Sequence, residues 1–245
     1  MTRIAVVTGA SSGIGAATAR ALSTDFTVYC VARRTERISA LAKEIGGMAV
    51  TCDVTDAEQV TQLAETLGDH IDLLVNNAGG ALGQDPLAID DLTRWEKMYE
   101  TNVMGAARVT QALLPALRMS HGTIIFVTST AAEAPYEGGG GYCGVKSAER
   151  SMAGALRLEL VGEPVRVCEI SPGMVHTEEF SLVRFGGDQT KADAVYAGVS
   201  EPLLAEDIAE AIAWIASRPA HVNIDRLVVR PVAQADNHTV SRTNS

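Results

Sequence analysis

The sequence has few positive charges, few cysteines and no long hydrophobic run, and each shortage excludes a class of protein. Its 245 residues contain 20 Lys and Arg against 30 Asp and Glu, a formal net charge of −10 at pH 7. Such a surface does not attract nucleic acid or an anionic membrane. No apolar run approaches the roughly 20 residues of a membrane helix, and Met1 leads directly into the strand-like IAVVT without the layout of a signal peptide. We therefore expect a cytoplasmic protein that binds small molecules, with no nucleic-acid or membrane partner.

The cysteines are expected to be structural. Cys30, Cys52, Cys143 and Cys168 show no C-x-x-C spacing and lie mostly in apolar runs such as TVYCVA and VRVCEI. Free cysteine is among the residue types most often found buried. The pattern predicts buried free thiols rather than disulfides or metal ligands, and no metal site.

Short apolar runs alternate with longer helical patterns along almost the whole chain. Continuous β-branched runs are typical of strands buried on both faces of a parallel sheet. The strand runs are 4–8, 26–32, 48–52, 71–75, 123–128, 165–170 and 226–231, and the helical patterns include 14–23, 57–67, 95–117, 146–160 and 206–216. This alternation predicts an α/β fold, a doubly wound parallel sheet with helices on both faces. We expect a single domain over 1–235 and a polar, flexible tail over 236–245.

Four consecutive glycines, 138–141, stand in YEGGGGYCGVK, where either a hinge between domains or the approach to an active site would explain them. The strand run before them and the helical pattern after them belong to one repeating scheme. We therefore predict a strand-to-helix loop at the sheet edge where parallel sheets bind ligands. Glycine there lets backbone and substrate approach closely, although nothing in the sequence explains why four are needed.

The first strand-to-helix junction reads TGASSGIG and predicts a phosphate-binding turn. Glycines permit a tight turn and close approach, and the helix N-terminus behind them offers free N–H groups and positive dipole to a diphosphate. The predicted cofactor contacts here are Gly9, Ser11, Ser12, Gly13, Ile14 and Gly15. The spacing G-x-x-x-G-x-G differs from the commoner G-x-G-x-x-G, and an ordinary glycine-rich turn is the alternative.

The end of the second strand run indicates which dinucleotide binds. An acidic residue at this place suits a free ribose 2′-hydroxyl, whereas arginine suits a 2′-phosphate. The run ends VARRTER, with neutral Ala32 at the acidic position, followed by Arg33 and Arg34. Glu36 lies past the strand end, where the start of a helix explains an acid. We predict NADP(H), with Arg33 as the main phosphate partner; a solvated arginine edge is the alternative.

Tyr142 and Lys146 lie four residues apart at the start of a predicted helix, so their side chains share a face. An adjacent ammonium favours the phenolate form of a tyrosine, which makes the pair a candidate acid–base unit; an exposed surface pair is the alternative. The other tyrosine of this stretch, Tyr136, has a glycine four residues later and therefore gains no such partner. Ser129 ends the preceding strand and can donate to a substrate carbonyl at the same crevice. Asn102 lies inside a helical pattern, where its amide indicates a functional or a buried structural role.

Together these motifs resemble the short-chain dehydrogenase/reductase family. The resemblance rests on TGASSGIG, NNAG at 76–79, Asn102, Ser129, the Tyr-x-x-x-Lys pair and SPGMVHT at 171–177, and it covers essentially the whole chain. It implies a single-domain Rossmann-type fold with a seven-stranded parallel sheet. It also implies NAD(P)-dependent oxidation or reduction at a C–OH or C=O group.

The resemblance further implies roles for particular residues. Tyr142 would donate or accept the proton, Ser129 would orient the carbonyl, and Lys146 would hold the nicotinamide ribose and tune Tyr142. Asn102 would anchor a water molecule of a proton relay. The other implied cofactor contacts are Asp53 and Val54 at the adenine, Asn77, Ala78 and Gly79 at the adenosine ribose, and Pro172, Gly173, Val175 and Thr177 at the nicotinamide.

The segment 174–204 is predicted to form a lid over the substrate, because a connection this long in a compact domain is usually functional. Phe180 and Arg184 in it, together with Tyr136, are candidate substrate contacts. An Arg184 that faces the pocket would bind a carboxylate through a bidentate pair. The alternative is a surface ion pair with a nearby acid: Glu178, Glu179 or Asp188.

Several stretches are similar to one subgroup, the NADP-dependent 3-hydroxy acid dehydrogenases. They are NNAGGALG, PYEGGGGY, TEEFSLVRFGGD and SRPAHVNIDRLVVRPVAQA. The similarity implies a homotetramer that oxidises serine, allo-threonine or 3-hydroxypropionate, or reduces malonic semialdehyde. VHTEEF departs from the subgroup's GGTEF, so added bulk at Val175 and His176 is expected beside the nicotinamide. The alternatives are a carbonyl reductase for ketoacyl, sugar or hydrophobic ketones and a non-catalytic NADP-binding regulator, against which the intact catalytic set speaks.

Overall fold

The computed structural model describes residues 3–243 and confirms the predicted parallel sheet. In chain order the strands are β1 Arg3–Thr8, β2 Phe26–Ala32, β3 Met48–Thr51, β4 Leu73–Asn76, β5 Thr123–Val127, β6 Arg166–Pro172, β7 Val175–His176, β8 Leu203–Leu204 and β9 Leu227–Val229. Seven of them form one sheet in the order β3-β2-β1-β4-β5-β6-β9, and each neighbouring pair is parallel. The short strands β7 and β8 pair with each other outside it.

Helices cover both faces of this sheet. They are α1 Gly13–Leu22, α2 Thr35–Ile45, α3 Ala57–Leu67, α4 Leu92–Tyr99, α5 Ala106–Met119, α6 Gly140–Glu159, α7 Phe180–Arg184, α8 Gln189–Tyr196 and α9 Ala205–Ala216. Ala5 and Val7 of β1 pack into a core with α1, α2 and α9, whereas Val6 packs on the other face with α3, α5 and α6. Because successive side chains enter two different cores, the central strands are continuous apolar runs.

The order of the sheet reverses at its first strand. β1 lies between β2 and β4, so the chain winds outward from β1 in both directions. In open parallel sheets the crevice beyond the carboxyl ends of the strands at such a reversal is where ligands bind. The glycine-rich turn after β1 and the loop after β4 therefore meet at that crevice.

Two helices differ from the limits that the sequence predicts. The helix expected over 95–117 consists of α4 and α5 joined by a π-helical stretch, Glu100–Gly105. A π-turn inserts one extra residue without a periodic signal of its own, so helical periodicity does not reveal it. The helix expected from residue 146 already begins at Gly140, because the poor helix propensity of glycine hides its first turn.

The segment 174–204 has secondary structure of its own, formed by β7, α7, α8 and β8. The described part of the tail makes defined contacts: Asn237 Nδ2 donates to Thr130 O at 3.0 Å, and Thr243 N donates to Gly198 O at 2.8 Å. The domain limits and the flexibility of 236–245 stay predictions. Residues 1, 2, 244 and 245 lie outside the described residues.

Within residues 3–243, no helix is both long and apolar enough to cross a membrane. All four cysteines are buried and free. The same described residues contain no group of three or more His, Cys, Asp or Glu side chains that could hold a metal ion.

Candidate active site

A cavity of about 670 Å³ lies beyond the carboxyl ends of the main-sheet strands. Residues that directly follow β1, β2, β4 and β5 line it. So do all the cofactor and substrate residues predicted from the sequence, and three of the four predicted catalytic residues, Ser129, Tyr142 and Lys146. The fourth, Asn102, is outside the lining. The cavity therefore brings together almost the whole predicted site.

The glycine-rich turn after β1 is tight and packs closely on the loop after β4. Gly9 and Gly13 adopt left-handed φ values of +67° and +51°, and a Cβ atom on Gly9 would lie 2.9 Å from the backbone of the loop after β4. Asn77, in the loop after β4, holds the start of the turn, because its Nδ2 donates to Thr8 O at 2.9 Å. Helix α1 begins at Gly13, and the side chain of Ser12 makes no capping hydrogen bond to it. The first N–H groups of α1 are thus not covered by a cap.

The two arginines after β2 have different partners. Arg34 Nε donates to Ser11 Oγ at 3.0 Å, and its Nη1 pairs with Glu179 at 2.8 Å. The Arg33 side chain is 72% exposed and has a longer ion pair with Asp53, at 3.6 Å. Arg33 is therefore the arginine whose donors stay available at the edge of the cavity.

Glu179 lines the cavity beside the arginines after β2, a position that sequence reasoning missed. Its carboxylate pairs with Arg34 and, at 2.7 Å, with Arg37. Burial alone would raise the pKa of Glu179, but hydrogen bonds from Arg34 and Ser12 and the two guanidinium charges hold that pKa below its usual value. The contact joins the segment 174–204 to the end of β2. No local pattern indicates it, because the partners are far apart in sequence.

The predicted catalytic side chains converge from two elements. Ser129 follows β5, and its Oγ accepts a hydrogen bond from Ala131 N at 3.1 Å. Tyr142 lies in the first turn of α6, buried except for 9% of its surface. Lys146 lies one turn further on, with Nζ 5.9 Å from the centroid of the Tyr142 ring, and donates to Val127 O at 3.1 Å. A hydroxyl, a phenol and an ammonium thus border one cavity.

Asn102, in the π-helical stretch, connects that stretch to α4 and to the loop after β4. It is 1% exposed, and its Nδ2 donates to Met98 O at 2.7 Å and to Gly80 O at 3.1 Å. Its Oδ1 accepts from Gly80 N at 3.1 Å. The side chain is therefore occupied by the loop after β4. The predicted water-anchoring role stays a prediction.

Arg184 lies inside the cavity. It donates from Nε to Gly83 O and from Nη2 to Tyr136 Oη, each at 3.0 Å. Its guanidinium carbon is 5.8 Å from the centroid of the Tyr142 ring. Within the described residues it forms no ion pair with Glu178, Glu179 or Asp188. A guanidinium has five N–H donors, of which these two bonds use two, so three remain beside Tyr142.

Aromatic side chains form the walls around this arginine. Phe180 contacts Tyr142 edge to face, with ring centroids 5.8 Å apart. Burial raises the pKa of Tyr136 to about 12, although Arg184 opposes that rise.

The prediction that both Val175 and His176 add bulk beside the nicotinamide needs correction. Val175 lines the cavity, but His176 is exposed and packs on Tyr196 instead.

The structure accounts for the four consecutive glycines, 138–141. Gly138 has a left-handed φ of +71°, and a Cβ atom there would lie 2.5 Å from Gln84 O. A Cβ on the second glycine would overlap the ring of Tyr136, and one on the third or fourth would press on Trp95. Only the first two precede α6, so the run is half loop and half helix, which corrects the predicted loop.

Gly138→Ala is expected to lower the free energy of unfolding by about 1–3 kcal/mol, because it adds left-handed strain and a backbone clash. Gly144→Ala, in the helix α6 that follows Gly138, is the control. A Cβ at Gly144 meets nothing within 4 Å, so the better helix propensity of alanine should raise stability by about 0.5–1 kcal/mol. Urea unfolding measures both. Equal effects of the two substitutions would contradict this explanation.

The C-terminal stretch after β9 contributes residues that sequence reasoning also missed. Gln234, Asn237, Val240 and Arg242 line the cavity. Gln234 Oε1 accepts from Met174 N at 2.8 Å, which joins this stretch to the loop after β6. The polar composition of this stretch is equally typical of a solvated terminus, so it carried no signal for a place in the site.

Comparison with known proteins gives a consistent result. The sequence profile of the family described as short chain dehydrogenase matches residues 3–184. The chain is 56% identical over 235 residues to an uncharacterised oxidoreductase of Mycobacterium tuberculosis, covering 95% of this chain and 92% of that protein. It is 44% identical over 236 residues to serine 3-dehydrogenase of Rhizobium radiobacter, covering 94% of each. The closed form of a serine dehydrogenase complexed with NADP+ superposes with a TM-score of 0.92 at 38% identity, covering 96% of this chain and 97% of that one.

Proposed function

The chain belongs to the short-chain dehydrogenase family of oxidoreductases, and from that premise we propose that it transfers a hydride between NADP(H) and a small 3-hydroxy acid. The substrates we have in mind are serine, allo-threonine and 3-hydroxypropionate, with malonic semialdehyde in the reducing direction. The observation that carries the substrate class is the three remaining N–H donors of Arg184 beside Tyr142. A homotetramer and a cytoplasmic location belong to the same proposal: the first rests on likeness alone, and the second on the absence of a signal-peptide layout and a membrane-length apolar run from the sequence.

The residues present fit NADP(H). Gly9 lets the turn after β1 lie against the loop after β4, where a side chain would clash, and the uncapped start of α1 offers N–H groups to a diphosphate. Arg33 offers a guanidinium at the end of β2 to a 2′-phosphate. The serine dehydrogenase with a similar structure is complexed with NADP+. When bound, the nicotinamide would supply or accept the hydride.

Arg33→Ala is expected to weaken NADPH binding about 10- to 100-fold, as the loss of a charge-assisted bond to phosphate does, and to leave NADH binding unchanged. Fluorescence titration of both cofactors measures the ratio. Arg34→Ala is the control: because Arg34 also holds Ser11, it should weaken both cofactors alike. An NADPH to NADH ratio that Arg33→Ala leaves unaltered would show that another residue selects the phosphate.

Three side chains handle the oxygen of the substrate. The Tyr142 phenol gives a proton to the oxygen as the carbonyl is reduced and takes it back in oxidation. The Ser129 hydroxyl, at the end of β5, donates a hydrogen bond that orients that oxygen. The Lys146 ammonium lies one turn from Tyr142 and favours its phenolate form. Phe180 and Tyr136 limit the water around these groups.

A carboxylate on the substrate would meet Arg184. Two of its N–H groups are held by Gly83 and Tyr136, which fixes the plane of the guanidinium without using up its donors. A preorganised fork of this kind binds a carboxylate with directional, charge-assisted bonds. The guanidinium carbon lies 5.8 Å from the centroid of the Tyr142 ring, and this short separation is why we propose a 3-hydroxy acid, with its carboxylate at Arg184 and its hydroxyl at Tyr142.

A steady-state screen of NADP+ reduction tests this proposal. Each acid is paired with a neutral analogue, above all 3-hydroxypropionate with its methyl ester, and serine, allo-threonine and 3-hydroxyisobutyrate complete the panel. The acids are expected to have the higher kcat/KM. Activity confined to neutral alcohols and ketones would favour a general carbonyl reductase, and no turnover with any substrate would favour a non-catalytic NADP-binding protein.

A further inference from the structure

A buried ion pair lies directly behind the acid–base unit. Lys146 and Glu149 are three residues apart on α6, and their side chains are only 6% and 2% exposed. Lys146 Nζ lies 2.6 Å from Glu149 Oε2 and also donates to Val127 O at 3.1 Å. An isolated charge so deeply buried would be strongly disfavoured. The carboxylate therefore keeps the lysine charged in a dry environment.

The other charged groups around Glu149 come from α6 and β6. Glu169 of β6 is held by Arg150 Nε at 3.1 Å and by Thr128 Oγ1 at 2.6 Å. Burial raises the pKa of Glu149 to about 7; Lys146 opposes that rise, and the charge of Glu169 adds to it. Of these two buried acids, Glu169 is bound by Arg150 and Thr128, whereas the charge of Glu149 is stabilised by Lys146.

Burial has the opposite effect on the pKa of the lysine. Burial alone would lower the pKa of Lys146, but the charges of Glu149 and Tyr142 and the close contact with the Glu149 carboxylate outweigh it and raise that pKa. The positive charge that Tyr142 experiences is therefore the charge of a pair, an ammonium partly offset by a carboxylate.

We propose that Glu149 is a positioning residue of the reaction, which holds the Lys146 ammonium against Val127 and offsets part of the positive charge acting on Tyr142. This rests on the proposed function only in taking Tyr142 and Lys146 as the acid–base unit. Without the carboxylate, the Tyr142–Lys146 unit loses its proton more easily, whichever of the two groups releases it. The unit should then work as a base at lower pH.

Nuclear magnetic resonance of labelled lysine tests the pair without cofactor or substrate. The chain has four lysines, and Lys43, Lys97 and Lys191 are all exposed, so the buried Lys146 can be assigned by difference. In Glu149→Gln the titration midpoint of Lys146 should fall by at least about one pH unit, because a unit charge in direct contact is removed. Glu159→Gln removes a carboxylate from an exposed position of the same helix and should leave Lys146 unmoved.

The pH profile of oxidation tests the consequence. With any alcohol that the enzyme accepts, the rising limb of kcat/KM for Glu149→Gln should move about one unit toward acid, and that of Glu159→Gln should stay. A lower melting temperature with an unmoved Lys146 midpoint and profile would make Glu149 a structural partner only and overturn the proposal. Because the resonance measurement needs no substrate, failure of the hydroxy-acid function would leave it intact.

A second variant keeps the proposal testable if Glu149→Gln does not fold. Glu149→Asp retains the charge but withdraws it from Lys146 by one methylene group. The Lys146 midpoint should then fall by a smaller amount than one unit, in the same direction. An unchanged or raised midpoint in this variant would contradict a role for the carboxylate.

Discussion

Tyr142→Phe is expected to lower kcat by about 10²- to 10⁴-fold, the usual contribution of a general acid or base, and to leave NADPH affinity within about twofold. The substitution removes only the phenolic oxygen. The ring that packs edge to face on Phe180, with centroids 5.8 Å apart, and that lies beside Arg184 is retained. Steady-state rates with the best substrate give kcat, and titration of NADPH fluorescence gives affinity.

Tyr136→Phe is the matched control, because Tyr136 is the other tyrosine of the same YEGGGGY stretch and its Oη contacts Arg184 at 3.0 Å. It has no lysine one turn on, so its loss should change KM more than kcat. A Tyr142→Phe enzyme with undiminished turnover would remove Tyr142 from the acid–base role. A larger loss of kcat in Tyr136→Phe would transfer that role to Tyr136.

The fold could be predicted because its evidence is local. Each central strand is buried on both faces, so a run such as IAVVT is continuously apolar, and its short length and β-branched residues favour a strand over a helix. The alternation of strands with helices then leaves few topologies, since parallel crossovers are right-handed. Local evidence could not predict that α6 begins with Gly140 and Gly141, because glycine has a poor helix propensity and close packing on Trp95 places these residues in the helix.

In the candidate site too, residues of contiguous motifs could be predicted, whereas residues that meet only in the folded chain could not. The turn after β1 and the Tyr142–Lys146 spacing are contiguous motifs, so the residues could be named from sequence. Glu179 meets Arg34 and Arg37 only after the chain has folded back across the cavity. Glu149 was also invisible, because an acid three residues after a lysine is ordinary on an exposed helix face. Its burial beside Lys146 follows from how α6 packs on the sheet.

Arg184→Gln is expected to lower kcat/KM for 3-hydroxypropionate about 10- to 150-fold and to change the rate with its methyl ester by less than about threefold. The carboxylate loses its charged partner, whereas an ester never had one. Glutamine can still donate to Gly83 O, which Arg184 Nε contacts at 3.0 Å, so the segment 174–204 should keep its place. The measurement is steady-state kinetics with the acid and the ester side by side.

Arg184→Lys separates charge from geometry. An ammonium keeps the positive charge but cannot hold Gly83 and Tyr136 and a carboxylate with one planar fork, so an intermediate loss with the acid is expected. Equal losses with acid and ester in Arg184→Gln would mean that Arg184 only supports the cavity wall. No loss with either would leave the carboxylate unrecognised at this position, and the neutral ketones would then become the better substrate class.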